Sequence, residues 1–221
     1  MMVKNSAISA LGFMLMLVLM FSCETIKTEK DFYKWISKEK NGLVREKASN
    51  GFLLTTKFLP AELLAYREYK SDKSLNKDTL LKNYGANQTF LLSIRLDTSL
   101  RSKGNIMFQG VEGYADYKKR ILDFNFGIDE MVSIKYNNKI YKPLVHAFEN
   151  TFNIVDGKNI YLVFDLKDLK NKGASEEIDF IFEDQHFNTG ISHFGFKKSD
   201  LENLPKIEIF NTINKEISTE K

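Results

Sequence analysis

The chain has 221 residues and a formal net charge of +3, from 32 Lys and Arg against 29 Asp and Glu. This small surplus gives no clustered basic face for nucleic acid, so no nucleic-acid partner is expected. A chain of this length can bury a large core without cross-links, and its one cysteine excludes an intramolecular disulfide.

Residues 1–22 have the pattern of an export signal that ends at a lipidation site. Lys4 precedes an apolar stretch, residues 10–21 (ALGFMLMLVLMF), and Ser22 is the small residue before the cleavage point. The next residue is Cys23, the one cysteine of the chain. The segment resembles a bacterial lipoprotein signal, in which this thiol receives a diacylglycerol, although Met20 and Phe21 depart from the usual residues. The resemblance implies cleavage between Ser22 and Cys23 and lipidation of Cys23.

The alternative for this segment is an uncleaved membrane anchor formed by residues 5–22. Its length lies within the range of about 17 to 25 residues that a spanning helix needs. The short apolar part and the position of the sole cysteine favour the lipoprotein. Either interpretation places the rest of the chain outside the cytoplasmic membrane, with the membrane as its first partner and the outer membrane favoured as its location.

Residues 23–42 are expected to form an acylated tether and a short amphipathic helix. Phe32, Trp35 and Ile36 have helical spacing within residues 29–40, and Asn41-Gly42 is a stop signal. We expect this apolar stripe to dock on the domain rather than on the membrane. The interleaved charges of residues 27–47 are typical of a solvated face, with contact to anionic headgroups as the alternative.

Residues 43–100 are expected to form a hairpin, two helices and a strand. Apolar residues alternate around Asn50-Gly51, a pair that supplies the positive φ angles of a type I′ turn. Pro60 suits the first turn of a helix over residues 60–70. Asn76 is the expected N-cap of a second helix, which Gly85 ends.

Residues 105–210 are expected to be rich in strands and to pack with residues 43–100 as one body. A helix is predicted over residues 111–119, and Asn137-Asn138 is a predicted turn. Residues 211–221 are expected to be a flexible tail. Besides the hairpin, one strand is predicted within residues 43–100, at residues 90–96. The strands predicted within residues 105–210 lie at 122–128, 132–136, 139–142, 145–152, 159–166, 177–183, 190–196 and 206–210. This order predicts an α+β fold, mainly antiparallel β in a sandwich-like or curled sheet, with a few short helices.

No motif for catalysis, metal binding or cofactor binding is recognised. The three histidines, His146, His186 and His193, lack the spacing of metal ligands. Residues 190–195 (GISHFG) differ from a nucleophile elbow because Phe194 stands where glycine is required. The acids Asp179, Glu183 and Asp184 are explained as the solvent side of a strand. We therefore expect no catalytic residues, no metal and no cofactor, and hence no enzyme.

Several segments together resemble a family of uncharacterised Bacteroidota lipoproteins. They are the Trp35 helix running into Asn41-Gly42, then residues 55–69 (TTKFLPAELLAYREY), 117–126 (YKKRILDFNF), 143–152 (PLVHAFENTF) and 194–209 (FGFKKSDLENLPKIEI). The resemblance implies export and lipidation and brings no catalytic residue, cofactor or partner. Phe148-Glu149 matches an aromatic–Glu pair of that family, with Phe148 expected to pack inward and Glu149 to meet a Lys or Arg.

Two functions follow as hypotheses. The first is a lipid-anchored, non-enzymatic accessory or interaction module of the cell envelope, with an envelope protein as possible partner. The alternative is a periplasmic or surface lipoprotein that binds a small ligand in an aromatic-lined cleft, using Tyr136, Tyr141 and Phe152 as stacking surfaces. An aromatic-lined cleft in the fold would favour the alternative.

Overall fold

The computed structural model describes residues 25–97, 105–149, 157–170 and 175–210. These residues form an α+β fold in which most strands pair antiparallel, as predicted. The strands are β1 (Thr25–Ile26), β2 (Val44–Ser49), β3 (Phe52–Leu59), β4 (Gln88–Leu96), β5 (Val132–Tyr136), β6 (Lys139–Tyr141), β7 (Val145–Phe148), β8 (Lys158–Phe164), β9 (Glu177–Glu183), β10 (Ile191–Lys197) and β11 (Lys206–Ile207). The helices are α1 (Glu29–Ile36), α2 (Ala61–Ser71), α3 (Lys77–Tyr84), α4 (Tyr114–Phe126), α5 (Ile128–Met131) and α6 (Lys198–Glu202).

Two antiparallel sheets pack face to face as a sandwich. One has the strand order β2-β3-β4-β8-β7 and the other the order β10-β9-β5-β6. The ring of Phe90 on β4 is fully buried and lies 5.6 Å from Phe180 and 5.4 Å from Phe196 on the opposite sheet. Aromatic rings therefore fill the space between the sheets, as their large apolar area favours.

Strand β4 joins the two halves of the chain into one body. Its Phe90 is paired with Phe58 of β3 on one side and with Leu162 of β8 on the other. Because β8 belongs to the part after residue 105, the five-stranded sheet takes strands from both parts of the chain.

Side chains of β2 close one side of the sandwich against β10. The Nε of Arg45 donates a hydrogen bond to the carbonyl of Gly195 at 2.6 Å. The hydroxyl of Ser49 donates to the carbonyl of Thr189 at 3.1 Å. The two edge strands are thus linked through side chains rather than through a backbone ladder.

The two predicted tight turns are confirmed. Asn50 and Gly51 have φ angles of 47° and 77°, and Asn137 and Asn138 have 49° and 60°. Two successive positive φ angles are the geometry of a type I′ hairpin, which Asn and Gly adopt at least cost.

The N-terminal helix docks on the domain. Phe32 and Ile36 of α1 are fully buried, and β1 pairs in parallel with β11. The helix ends at Ile36 rather than at residue 40, and a short 3-10 turn, Glu39–Asn41, follows. Gly42 then has a φ of 76°, and a side chain there would collide with Asp200.

Helices α2 and α3 confirm the second predicted helical region. Pro60 immediately precedes α2. The side chain of Asn76 caps α3 by accepting a hydrogen bond from the backbone N–H of Thr79 at 2.9 Å, and Gly85 is the C-cap.

The strand predicted at residues 122–128 is wrong, because this segment forms the end of α4 and the start of α5. Leu122, Phe124, Phe126 and Ile128 imitate the period-two pattern of a strand. In α4, Arg120 and Phe124 share the buried side at a spacing of four residues, Phe126 is 76% exposed, and Ile128 is buried at the start of α5. Tertiary contacts to the buried face of α4 therefore favour the helix over the strand.

Other boundaries differ less. The helix predicted at 111–119 begins at Tyr114, and the last strand covers Lys206–Ile207 rather than 206–210. The predicted strand at 145–152 is present as Val145–Phe148, and its remainder lies outside the described residues. None of the helices in the described ranges is long and apolar enough to cross a bilayer.

Candidate functional site

A cleft of about 440 Å³ opens beside helix α4. Its walls come from α4, from the 3-10 turn Ile106–Phe108, from the end of β7 and from the start of β8. The lining side chains combine aromatic, aliphatic, amide and cationic groups. They are Asn105, Met107, Tyr114, Tyr117, Lys118, Ile121, Leu122, Asn125, Phe148 and Lys158.

Arg120 fastens the 3-10 wall of the cleft to α4. Its Nη1 donates hydrogen bonds to the carbonyls of Met107 at 3.0 Å and Gln109 at 2.8 Å. Its Nη2 donates to the carbonyl of His186 at 2.9 Å, and the guanidinium lies 4.7 Å from the ring centre of Phe187. The Arg120 side chain, which is 4% exposed, therefore links three separate segments by acting as a multiple donor.

Stacked rings support the aromatic walls of the cleft. The ring of Phe148 is nearly parallel to Phe124 at a centroid distance of 5.6 Å. The ring of Tyr117 is parallel to Phe108 at 4.7 Å. Because each ring packs on a neighbour, its orientation in the cleft is set before any ligand arrives.

Among the described residues, the lining carries positive charge and no acidic side chain. Lys118 is exposed on α4, whereas Lys158 is only 6% exposed. No carboxylate or hydrogen-bond acceptor among the described residues contacts the Lys158 ammonium. The ammonium lies over the ring of Phe148, 6.0 Å from the ring centre. Burial lowers the pKa of the Lys158 ammonium, since removal from water disfavours the charged form.

Behind the cleft, His186 lies close to a carboxylate of α4. Its Nε2 is 3.1 Å from Oδ2 of Asp123, and its side chain is 8% exposed. Burial lowers the pKa of His186; Asp123 opposes this change, and Arg120 and Lys119 add to it. The pair lies next to Arg120 and does not line the cleft, so we assign it to the support of the α4 region.

Two other cavities differ from the cleft in charge. One of about 330 Å³ contains Glu68 and Tyr84, where burial and the hydrogen bond to Glu68 raise the pKa of Tyr84 to about 12. Another, of about 250 Å³, contains Glu177 and Asp179. Judged by their described lining residues, the cleft beside α4 is the one of these three cavities with cations and no acids.

The aromatic residues predicted for a cleft are not those that line it. Tyr136 borders the cavity of about 250 Å³ rather than the cleft beside α4, and at 1% exposure it belongs mainly to the sandwich core. Tyr141 is half-buried against the core and lines none of the three cavities. Phe152, and the predicted cleavage and lipidation residues Ser22 and Cys23, lie outside the described residues.

The resemblance-based roles of Phe148 and Glu149 are met in part. Phe148 packs inward on Phe124, as expected. The Glu149 carboxylate accepts a hydrogen bond from the side chain of Asn159 at 2.6 Å rather than from a Lys or Arg, which corrects that prediction. His146 does not meet Glu149, because its Nε2 lies 2.8 Å from the backbone oxygen of Asn125.

The side chains of the segments considered for catalysis lie in separate environments. Ser192 is fully buried, while its neighbour His193 lies on the outer face, 2.8 Å from Asp179. Asp184 accepts hydrogen bonds from the backbone N–H groups of the 186–189 loop, and Glu183 is exposed. Within the four described ranges, no group of three His, Cys, Asp or Glu could hold a metal ion.

Most of the residues that build the cleft are not identified by the sequence pattern alone. Tyr114, Tyr117, Lys118 and Ile121 recur at spacings of three and four, which is the helical signal on this face. The predicted helix ended at residue 119, so the second half of this face went unrecognised. Lys158 gave no local signal, because its burial depends on contacts between distant segments.

No family model matches this sequence, and no curated protein matches it. A solved structure of a protein of unknown function from Burkholderia pseudomallei K96243 aligns over 80% of this chain and 92% of its own, with 13% identity and a TM-score of 0.34. A likeness at that level carries no conclusion about fold or function. The resemblance to Bacteroidota lipoproteins therefore stays a prediction based on the sequence.

Proposed function

We propose that this protein is a lipid-anchored lipoprotein of the cell envelope that binds a small organic ligand in the cleft beside α4, without catalysing a reaction. The observation that carries the proposal is the cleft itself. Its volume of about 440 Å³ is within the range of small-molecule sites, which combine apolar walls with a few polar groups.

The lining residues support binding rather than catalysis. Those that the structure describes include aromatic, aliphatic and amide side chains and two lysines, but no Ser, Cys, His, Asp or Glu. A nucleophile–base pair is the first requirement of most hydrolytic and transfer mechanisms. The described lining therefore supports a binding role.

The ligand test compares small aromatic compounds of different charge by calorimetry. We expect Tyr117→Leu and Phe148→Leu to weaken binding, because both rings line the cleft. Tyr69→Leu is the matched control, since Tyr69 is a half-buried tyrosine of α2 outside the cleft. If no compound of any charge binds, the proposed ligand site is wrong.

The anchor is tested separately by mass spectrometry of the mature N-terminus. We expect Cys23 to be the first residue and to carry a diacylglycerol, and we expect the Cys23→Ala variant to leave the membrane fraction. An intact leader with an unmodified Cys23 would contradict the anchor and leave the ligand proposal standing.

A second candidate function, an interaction module with an envelope protein partner, has its own support. Residues 108–126 carry four of the eight large apolar side chains exposed on the described surface, among them Tyr114 at 78% and Phe126 at 76%. Such clusters are typical of interaction surfaces. A photo-crosslinking residue at Phe126 should give a discrete adduct in native membranes, with the exposed Lys82 as control position. Recovery of uncrosslinked monomer from both positions would argue against it.

A further inference from the structure

We infer that the ligand of the cleft is an organic anion with a flat apolar body. This inference rests on the proposed function, because it takes the cleft as a ligand site and adds the charge and shape of what it accepts. Lys158 and Lys118 receive the anionic group, and the rings of Phe148 and Tyr117 contact the flat body.

The charge preference follows from the position of Lys158. Its side chain is 6% exposed, lines the cleft and has no carboxylate within ion-pair distance among the described residues. A buried cation without a counter-charge is unfavourable. An anion that enters the cleft supplies this counter-charge at close range, whereas a cationic ligand meets repulsion.

Lys118 adds to the positive electrostatic potential of the cleft from its exposed edge. It lies on α4, is exposed, and has no ion-pair partner among the described residues. Its contribution is smaller than that of Lys158, because water and salt screen an exposed charge. Since the described residues of the lining include no acidic side chain, none of them offsets the two lysines.

The preference for a flat body follows from the two supported rings. Phe148 is held parallel to Phe124, with 15° between the planes, and Tyr117 parallel to Phe108, with 5°. Met107, Ile121 and Leu122 complete an apolar lining. Aromatic rings contact other flat groups well in offset stacking, and the volume of about 440 Å³ suits a body of one to three fused rings.

The test uses three probes with the same bicyclic body and different charge: naphthoate, naphthalenemethanol and naphthylmethylammonium. Each is titrated calorimetrically into the full-length chain in mild detergent, and each titration is corrected by the same titration into detergent buffer. We expect naphthoate to bind about tenfold more tightly than the alcohol and the ammonium compound to bind most weakly. Added salt should weaken naphthoate binding and leave the alcohol unchanged.

Lysine variants test which residues carry the preference. Lys158→Met keeps an apolar stem and removes the charge, so we expect it to reduce the affinity for naphthoate about tenfold and not that for the alcohol. Lys118→Met should have a smaller effect in the same direction. Lys82→Met on α3, outside the cleft, is the matched control and should change neither affinity.

The outcomes separate this inference from the proposed function. Equal affinities for naphthoate and the alcohol, or tightest binding of the ammonium compound, overturn the anion preference while the cleft remains a ligand site. Unchanged naphthoate affinity in Lys158→Met overturns the role of that lysine. Binding of none of the three probes overturns both proposals. The comparison of the probes on the unaltered chain needs no variant, so a folding defect in Lys158→Met leaves the test decisive.

Discussion

The sandwich core and the cleft beside α4 use the same kind of side chain in opposite ways. In the core, the ring of Phe90 meets rings from four strands, β3, β8, β9 and β10, and it has no exposed surface. In the cleft, the half-buried Phe148 and Tyr117 each stack on one ring and line an open space.

The difference shows that aromatic content by itself does not indicate a binding site. A ring surrounded by apolar neighbours contributes to folding stability and is closed to ligands. A ring supported on one side keeps a fixed orientation and retains surface for a ligand. The core and the cleft therefore differ in whether the second face of each ring is covered by neighbouring side chains.

The largest loss of stability on substitution is expected in the sandwich core. Phe90→Ala should lower the free energy of unfolding by about 3–5 kcal/mol, because it removes a fully buried ring and leaves a cavity. Phe148→Ala, which removes the same ring from the cleft, should cost less than half as much. Urea denaturation of both variants measures the contrast, and equal losses would contradict the division into core and cleft.

The next effect concerns the wall of the cleft. Arg120→Met should lower the free energy of unfolding by about 2–4 kcal/mol, because the buried or partly buried carbonyls of Met107, Gln109 and His186 lose their donor. Lys118→Met on the same helix is the control, and its free energy of unfolding should stay within about 0.5 kcal/mol of that of the unaltered protein. If denaturation gives both variants the same stability, Arg120 does not anchor the wall.

A pH effect of smaller size is expected from His186. Its pKa in the folded protein is lowered, chiefly by burial, so between this value and the unfolded value of about 6.5 the unfolded chain binds more protons. Stability should therefore be full above about pH 6.5 and fall as the pH decreases below it. Denaturation at a series of pH values checks this, with His186→Gln expected to remove this part of the loss. His193→Gln, at an exposed histidine, is the matched variant, and an equal change in both would contradict the assignment.

The smallest effect is expected on the exposed side of α4. Phe126→Ser should change the free energy of unfolding by less than about 0.5 kcal/mol, because Phe126 is 76% exposed. Phe124→Ser, two residues earlier, should cost several times more, since Phe124 is 1% exposed. In a strand the two side chains would share a face, so similar losses would contradict the helix.

Much of the fold could be predicted where local chemistry decides the structure. Asn50-Gly51 and Asn137-Asn138 form the tight turns, Asn76 caps α3, and the alternating residues 177–183 form β9 with the predicted bounds. In each case a backbone preference or a single side-chain hydrogen bond within a few residues suffices. The antiparallel α+β class followed from these short elements.

The candidate site could not be predicted in the same way. Residues 122–128 fit a strand and a helix equally well as a pattern, and contacts of Arg120 and Phe124 with the 106–109 and 186–187 segments select the helix. Lys158 becomes a cleft residue only because β8 lies beside β7 and α4.

The sequence by itself therefore determined the turns, the caps and most strands, since each depends on neighbouring residues, while the lipidation signal at Cys23 stays a prediction. The tertiary structure decided which aromatic rings are enclosed, which face of α4 is exposed and where a buried lysine meets open space. These properties arise from contacts between residues far apart in the chain, and no local pattern encodes them.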